Sequence, residues 1–327
     1  MKRFLVILSI VSFSILFSLA VSEAQVKPGW PKAVTIGTSG IGGVYFVWGG
    51  GFAKLLHDKM GIPGNVEVTG GPVHNIQLTD VKQLDFGLAT AGPIYEGWHG
   101  LGWAKGKKHQ NLRVIFPMYA SYSHAYALRK SGIKSIYDLN GKSVGVGAVG
   151  TTPAVYWPPF FELVGVKPGR IVNAGWSDLN SQMKDGMLDV VATISGLPWG
   201  LITELEIIYE MNVFAVSKAD AEKFIAKYPF FSPGSIPKGT YKSNKDHDIE
   251  TISIWNFMTV HKDAPDDFVY EVVKKTFENV EILITTHASA KEVKPEFIVH
   301  SPIPLHLGAV RYYKEKGIKI PDKLIIQ

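Results

Sequence analysis

Through residues 33–90 the chain alternates short apolar runs with longer amphipathic stretches, and most apolar runs end in glycine or small polar residues. Residues 33–39 (AVTIGTS) read as a buried strand, and 44–59 as a helix with Phe46, Ala53, Leu55 and Leu56 among its apolar positions. A short strand at 66–69, a helix at 73–82, a strand at 84–90 (LDFGLAT) and another at 112–120 follow. This order predicts βαβ units and a mostly parallel sheet. The pattern then restarts: a strand at 125–129, a turn and short helix at 131–139, a strand at 142–148 (KSVGVGA), and a helix at 154–164 that Pro158 and Pro159 should distort or delay. A helix at 179–186 and a strand at 188–194 complete this second α/β half, which shares no residue-level repeat with the first. Beyond Lys218 the reading is a helix at 219–228, a Pro-, Gly- and Ser-rich excursion at 229–241, a strand at 251–260 and a long helix at 265–281. A last helix within 302–313 is expected to pack back on the first half.

The amino-terminal pattern differs. Met1, Lys2 and Arg3 precede an apolar run at 4–20 broken only by Ser9, Ser12, Ser14 and Ser18, and small residues follow up to Ala24. This is the layout of a secretory signal, with cleavage expected after Ala24 or, alternatively, Ala20. No later run reaches the length a bilayer requires, so a soluble mature chain outside the cytoplasm is expected. The 327 residues suit two lobes, and 46% hydrophobic with 19% charged residues is globular composition. The net charge of +5 is spread over scattered lysines, which argues against a nucleic-acid arm. Its densest stretch, Lys105, Lys107, Lys108 and His109, reads as a solvated loop before a strand. The absence of cysteine removes disulfides, thiol catalysis and thiolate metal sites.

The candidate chemistry sits in the turns between strands and helices. Thr38, Ser39, Gly42, Gly43, Val44 and Tyr45 belong to a glycine-rich turn that follows a strand and opens a helix, where free N–H groups can meet a carboxylate or phosphate. The turn lacks the Lys-Ser/Thr of a P-loop and the third glycine of a dinucleotide fingerprint. Gly70, Gly71 and Asn75 repeat the layout, with Asn75 able to reach a ligand or to serve as a turn residue. Thr151 and Thr152, ahead of Pro153, form the matching turn of the second half and also read as a helix cap. Gly196 and Trp199 follow a further strand, and Tyr119, Ser121 and Tyr122 lie where the chain should first cross between halves. No HExxH motif, complete nucleophile elbow or glycine-framed carboxylate pair is present, which weighs against an enzyme. His247, His300 and His306 are not spaced as metal ligands, and neither a metal nor a cofactor is expected.

In their order these motifs resemble the TAXI branch of the solute-binding proteins of TRAP transporters. The matching segments are TIGTSGIGGVYFVWGG (35–50), VTGGPVHNIQL (68–78), DFGLAT (85–90), SGIKSIYDLNGKSVGVGAVGTT (131–152), MKDGMLDVVATISGLPWG (183–200), YPFFSPGSIPKGTY (228–241) and PIPLHLGAVRYYKEKG (302–317). The resemblance implies a two-lobed α/β periplasmic-binding-protein fold of type II topology, with lobes at 27–120 plus 253–327 and at 121–252. It implies capture of a small organic acid or amino acid and delivery to a TRAP permease in the membrane. A sensor subunit on the same fold is the alternative. Pro72 and His74 stand where the family commonly has Ser and Glu, and Trp48, Tyr156, Trp157 and Trp199 add aromatic bulk near the expected cleft. These departures point away from glutamate-like ligands and toward an aromatic or branched carboxylate.

Overall fold

A computed structural model describes residues 27–326. The expected signal segment at 1–24 lies outside the described residues. Strand β1 (Val34–Gly37), helix α1 (Val44–Met60), β2 (Gly64–Glu67), α2 (Pro72–Asp80), β3 (Phe86–Thr90) and α3 (Ala91–His99) make a first βα triplet. Strand β4 (Leu112–Leu128) then leads to β5 (Ser143–Gly145), α4 (Thr152–Val164), β6 (Arg170–Val172), α5 (Trp176–Lys184), β7 (Val190–Ser195) and α6 (Gly200–Ile208), a second triplet built in the same order. Strand β8 (Met211–Phe214), α7 (Lys218–Lys227), β9 (Phe231–Ile236), β10 (Ile249–His261), α8 (Asp266–Glu278), α9 (Val280–Thr286) and α10 (Leu307–Glu315) complete the chain.

The strands run β2-β1-β3-β10-β4-β7-β5-β6, with β8 on β4 and β9 on β10. Both triplets are parallel, β1 between β2 and β3, and β5 between β6 and β7. The triplets therefore share one strand order, although their residues share no repeat. The long strands β4 and β10 join them and run antiparallel to their partners. Their mutual register shifts between Trp255 and Phe257, opposite Pro117 and Ala120. The mostly parallel sheet read from the sequence is thus mixed. Residues 112–120 and 125–129, read as two strands, are one, because 121–124 stays extended and pairs with both β10 and β7.

Other departures have local causes. Helix α4 runs unbroken through Pro158 and Pro159. Each proline removes a backbone donor at a cost of about 3 kcal/mol. Burial of Tyr156, Trp157, Phe160 and Phe161 on one side of the helix offsets that cost, at roughly 1.5–3 kcal/mol for a large side chain. The Pro- and Gly-rich excursion carries β9, paired antiparallel with β10. In the basic stretch the three lysines are exposed, but His109 is buried with its Nδ1 3.1 Å from Asp80 Oδ2. Trp48, placed near the cleft by the sequence reading, lies in the core of the first triplet with ring centroids 6.0 Å from Phe52 and 6.2 Å from Phe116. No helix among the described residues is long and apolar enough to cross a membrane.

A buried polar chain ties the second triplet to the crossing strands. The Trp199 N–H donates to the Tyr241 hydroxyl oxygen at 3.0 Å, and that hydroxyl lies 3.3 Å from Nε2 of His124. His124 Nδ1 in turn lies 2.9 Å from the Tyr122 carbonyl, so Nδ1 carries the proton and Nε2 accepts. Burial pushes the His124 imidazole down to about 4, against the opposing hydrogen bond to Tyr122.

Two predictions follow from this packing. At Gly308 an added Cβ would overlap the carbonyl oxygen of Asp266 and come within 2.9 Å of Tyr270 N, so α10 sits on the α8 backbone with no room for a side chain. Gly308→Ala is expected to destabilise by about 1–3 kcal/mol. Gly50→Ala, on an exposed and open helical position, should be neutral or stabilising by calorimetry. An unchanged melting temperature in the first variant contradicts the α8–α10 packing. For His124, the folded protein takes up its proton only near pH 4 while an unfolded chain does so near 6.5. The stability it contributes is therefore present above pH 6.5 and lost as pH falls toward 4, by about 2–3 kcal/mol. In denaturant titrations His124→Gln should show a shallower acid loss than the native protein. Parallel pH profiles count against a buried neutral imidazole.

Candidate functional site

The C-terminal ends of parallel strands are where helices begin, and here six such ends face one another. One cavity is lined by Gly43 and Val44 at the start of α1, Pro72 at the start of α2, and Thr90 ahead of α3. From the second triplet come Thr151 and Thr152 at the start of α4, Trp176 at the start of α5 and Trp199 ahead of α6. Each helix start carries roughly +0.5 of an elementary charge, from N–H groups that have no partner within the helix. No lining residue carries a formal charge. The cavity's polarity comes from hydroxyls, amides and indoles, and the space between them is about 40 Å³.

Glycines let the walls approach. A Cβ on Gly43 would stand 2.7 Å from Ser39 Oγ and 3.3 Å from Trp176 Nε1, and one on Gly196 would stand 2.7 Å from the Tyr119 ring. Gly147 holds φ at +81° and lies under the Trp176 ring, 2.7 Å from Cζ2 for an added Cβ. Three hydrogen bonds join the two triplets across the cavity mouth. Trp199 Nε1 donates to the Gly42 carbonyl at 3.0 Å, Val73 N–H donates to the Gly150 carbonyl at 3.2 Å, and the hydroxyls of Thr90 and Thr152 lie 2.8 Å apart. The Trp176 and Trp199 rings meet edge to face at 4.9 Å.

The floor is fixed by Asn256 of β10. Its Oδ1 accepts from the Tyr45 hydroxyl at 2.5 Å, and its Nδ2 donates to the Tyr119 carbonyl at 2.7 Å and to Ser121 Oγ at 2.9 Å. Burial raises the Tyr45 phenol well above its ordinary range, with Tyr119 adding to the shift. Burial and then the Glu292 carboxylate raise that of Tyr119. Both remain neutral hydroxyls.

Of the residues singled out from the sequence, Ser39, Gly43, Val44, Tyr45, Tyr119, Thr151, Thr152, Gly196 and Trp199 line the cavity. Ser121 does as well, and Tyr122 does not. Thr38, Gly42 and Asn75 stand behind the wall. Thr38 Oγ1 donates to the Glu67 carbonyl at 2.8 Å, joining the ends of β1 and β2. Asn75 Nδ2 donates to the carbonyls of Thr38 and Leu88 at 2.7 and 2.8 Å, so its amide braces β1 against β3 and has no N–H to offer a ligand. Gly42 offers its carbonyl to Trp199. His74 is also off the cavity, where its Nδ1 accepts from Gly70 N–H at 3.3 Å. Tyr156 and Trp157 face the core instead, Trp157 Nε1 donating to the Thr193 carbonyl at 3.2 Å.

The sequence reading missed Thr90, Trp176, Thr193, Ser195 and Asn256. Asn256 had a signal, a single amide inside the apolar strand at 251–260. Trp176 had a weaker one, the single glycine Gly175 of its strand-to-helix turn, against the several glycines of the turns before α1, α2 and α4.

Solved structures share this architecture at low sequence identity. MatC from Rhodopseudomonas palustris with bound malate is similar with a TM-score of 0.59 and 12% identity, over 88% of this chain and 98% of that one. The periplasmic binding protein BugD is similar with a TM-score of 0.56 and 14% identity, over 89% of this chain and 100% of that one. A putative L-cystine ABC transporter protein from Listeria monocytogenes gives 0.51 and 11%, over 81% and 99%. The fold is the two-lobed periplasmic-binding-protein fold of type II topology, as expected from the resemblance. The model of the NMT1-like family matches residues 36–317, nearly all of the described chain, and this protein belongs to that family.

Proposed function

We propose that this protein is an extracytoplasmic solute-binding protein of the TAXI type, which captures a small carboxylate and delivers it to a TRAP-type membrane transporter. The observation that carries the reading is the meeting of six helix N-termini at a cavity with no cationic side chain. That arrangement suits an anion held by N–H groups and hydroxyls. Family membership and fold support binding over catalysis, and the lining holds no carboxylate or imidazole to move a proton. The apolar segment at 4–20 supports export to the periplasm, and the ordered matches to TAXI sequences support the transporter partner.

The reading assigns residues 27–120 with 253–327 to one lobe and 121–252 to the other. β4 and β10 then form the hinge, where the register shift near Trp255 loosens the ladder. The direct ligand contacts are Ser39, Gly43, Val44, Tyr45, Tyr119, Thr151, Thr152, Gly196 and Trp199. Thr38, Gly42 and Asn75 shape the turns that carry them. In the open state the carboxylate meets the amides of Val44 and Tyr45. The second lobe then brings Thr152, Trp176 and Trp199 over it, so that the ligand touches both lobes only when they close. Closure is a population shift driven by those added contacts.

Two measurements test this. Solution scattering should show compaction of the purified protein when a bound carboxylate is added, and an unchanged radius of gyration contradicts capture by closure. Trp199→Phe removes the indole N–H that reaches Gly42 and trims a ring that packs on Trp176 and Tyr126. The lost bond is worth about 0.5–1.5 kcal/mol, so ligand dissociation should quicken by roughly two- to tenfold with association little changed. A slower association at unchanged dissociation argues against Trp199 as a latch of the closed state.

A further inference from the structure

We infer that the ligand is a short monocarboxylate bearing no ammonium group, and that the Trp176 indole N–H is the side-chain donor that selects it. This rests on the capture role proposed above and narrows it.

Charge excludes most alternatives. An ammonium taken into this cavity would find no carboxylate on the walls. Glu292, whose Oε2 accepts from the Ala120 N–H of β4 at 2.7 Å, does not line the space. Six positive helix ends would oppose the cation as well. An unpaired buried charge is among the costliest states a binding site can hold. The amino acids expected from the family resemblance are therefore disfavoured by the residues themselves.

The free donors of the walls can hold a carboxylate. Several polar groups of the walls are already engaged with one another: Trp199 Nε1 with Gly42, Tyr45 with Asn256, and Thr90 with Thr152. Thr193 Oγ1 and Trp176 Nε1 are among the donors that remain. Thr193 Oγ1 is fully buried with no hydrogen-bond partner among the described residues. Trp176 is 7% exposed, and its Nε1 approaches the Gly43 backbone beside Ser39 Oγ. With the amides of Val44 and Tyr45 at the start of α1, these donors suffice for one carboxylate.

Volume gives the length. One water needs roughly 10–15 Å³ of such space, so a cavity of about 40 Å³ holds about three waters. Roughly two to four carbons fit once the lobes adjust, with the alkyl part against Pro72, Ile194 and the Trp176 ring. An aromatic acid, expected from the ring-rich sequence, has no such room.

Calorimetric titration of the purified protein with acetate, propionate, lactate, pyruvate, alanine, malate, glutamate and benzoate tests this. Lactate and alanine are nearly isosteric and differ in hydroxyl against ammonium. The expected result is binding of at least one of the four short acids, lactate at least tenfold tighter than alanine, and malate, glutamate and benzoate weaker than the best short acid by tenfold or more. Trp176→Phe, which keeps a ring and removes the N–H, should weaken that acid by about tenfold. Alanine equal to lactate, or malate, glutamate or benzoate binding best, overturns the ligand class while leaving the capture role intact. Unchanged affinity in a folded Trp176→Phe overturns the role of Trp176. If that variant does not fold, the lactate–alanine pair decides the class, and Trp176→His, which restores a ring N–H, decides the donor by retaining affinity or losing it. Binding of none of the eight overturns both the ligand class and the capture of carboxylates.

Discussion

Helix starts leave backbone N–H groups without partners, and in this protein six helices start at one cavity. The rest of the architecture answers to that convergence. Parallel strands deliver each helix start to the same edge, and repeating the triplet on the other side of β4 and β10 brings a second set of three to face the first. The N–H groups need acceptors, and protein supplies some of them. Gly150 offers its carbonyl to Val73, and the Thr151 hydroxyl accepts from Ala154 at 3.4 Å. The remainder can be met by water or by an anionic oxygen. A positive field produced without lysine or arginine has a consequence: it can bind a carboxylate without the desolvation of a buried cation.

The same economy appears behind the walls. Asn75, Thr38 and Asn256 each join strand ends or crossing strands with all of their side-chain donor hydrogens. The Trp199–Tyr241–His124 chain holds the start of α6 from behind while its indole reaches across to Gly42. Fixed donors and acceptors of this kind lose little freedom when a ligand arrives, and so they favour binding.

The strand-to-helix turns were legible because glycine and small residues punctuate apolar runs, and period 3.6 follows period 2. That signal located Ser39, Gly43, Val44, Tyr45, Thr151 and Thr152 on the cavity without any structure. It could not separate a side chain that faces the cavity from one that braces the turn, which is why Asn75 and Gly42 were grouped with Ser39. Orientation depends on where the next strand's carbonyls fall, and those of Thr38 and Leu88 are distant in sequence from Asn75. β4 was hidden for a related reason. Its middle, Ser121 to His124, is polar, and only pairing with β7 and β10 shows that it stays extended. The parallel order of the triplets was readable from alternation, while the antiparallel pair between them follows from long-range closure of the chain.

Aromatic residues illustrate how composition near a site misleads. Tryptophans and tyrosines cluster in sequence around the predicted turns, which suggests a wide ring-lined pocket. Folded, most of them fill space rather than enclose it. Trp48 packs on Phe52 and Phe116, Tyr156 meets Phe231 at 5.2 Å, and Trp157 stacks on Phe161 at 5.3 Å. Among the described aromatic residues only Tyr45, Tyr119, Trp176 and Trp199 reach the cavity, and the Tyr45 hydroxyl and the Trp199 indole N–H are bonded to protein. Large side chains at the edge of a site reduce its volume unless glycines withdraw the opposite wall. Here Gly43, Gly147 and Gly196 give their space to Trp176 and Tyr119 themselves. The rings therefore narrow the cavity to the space of a few water molecules, with Thr193 Oγ1 among the donors left unpaired there.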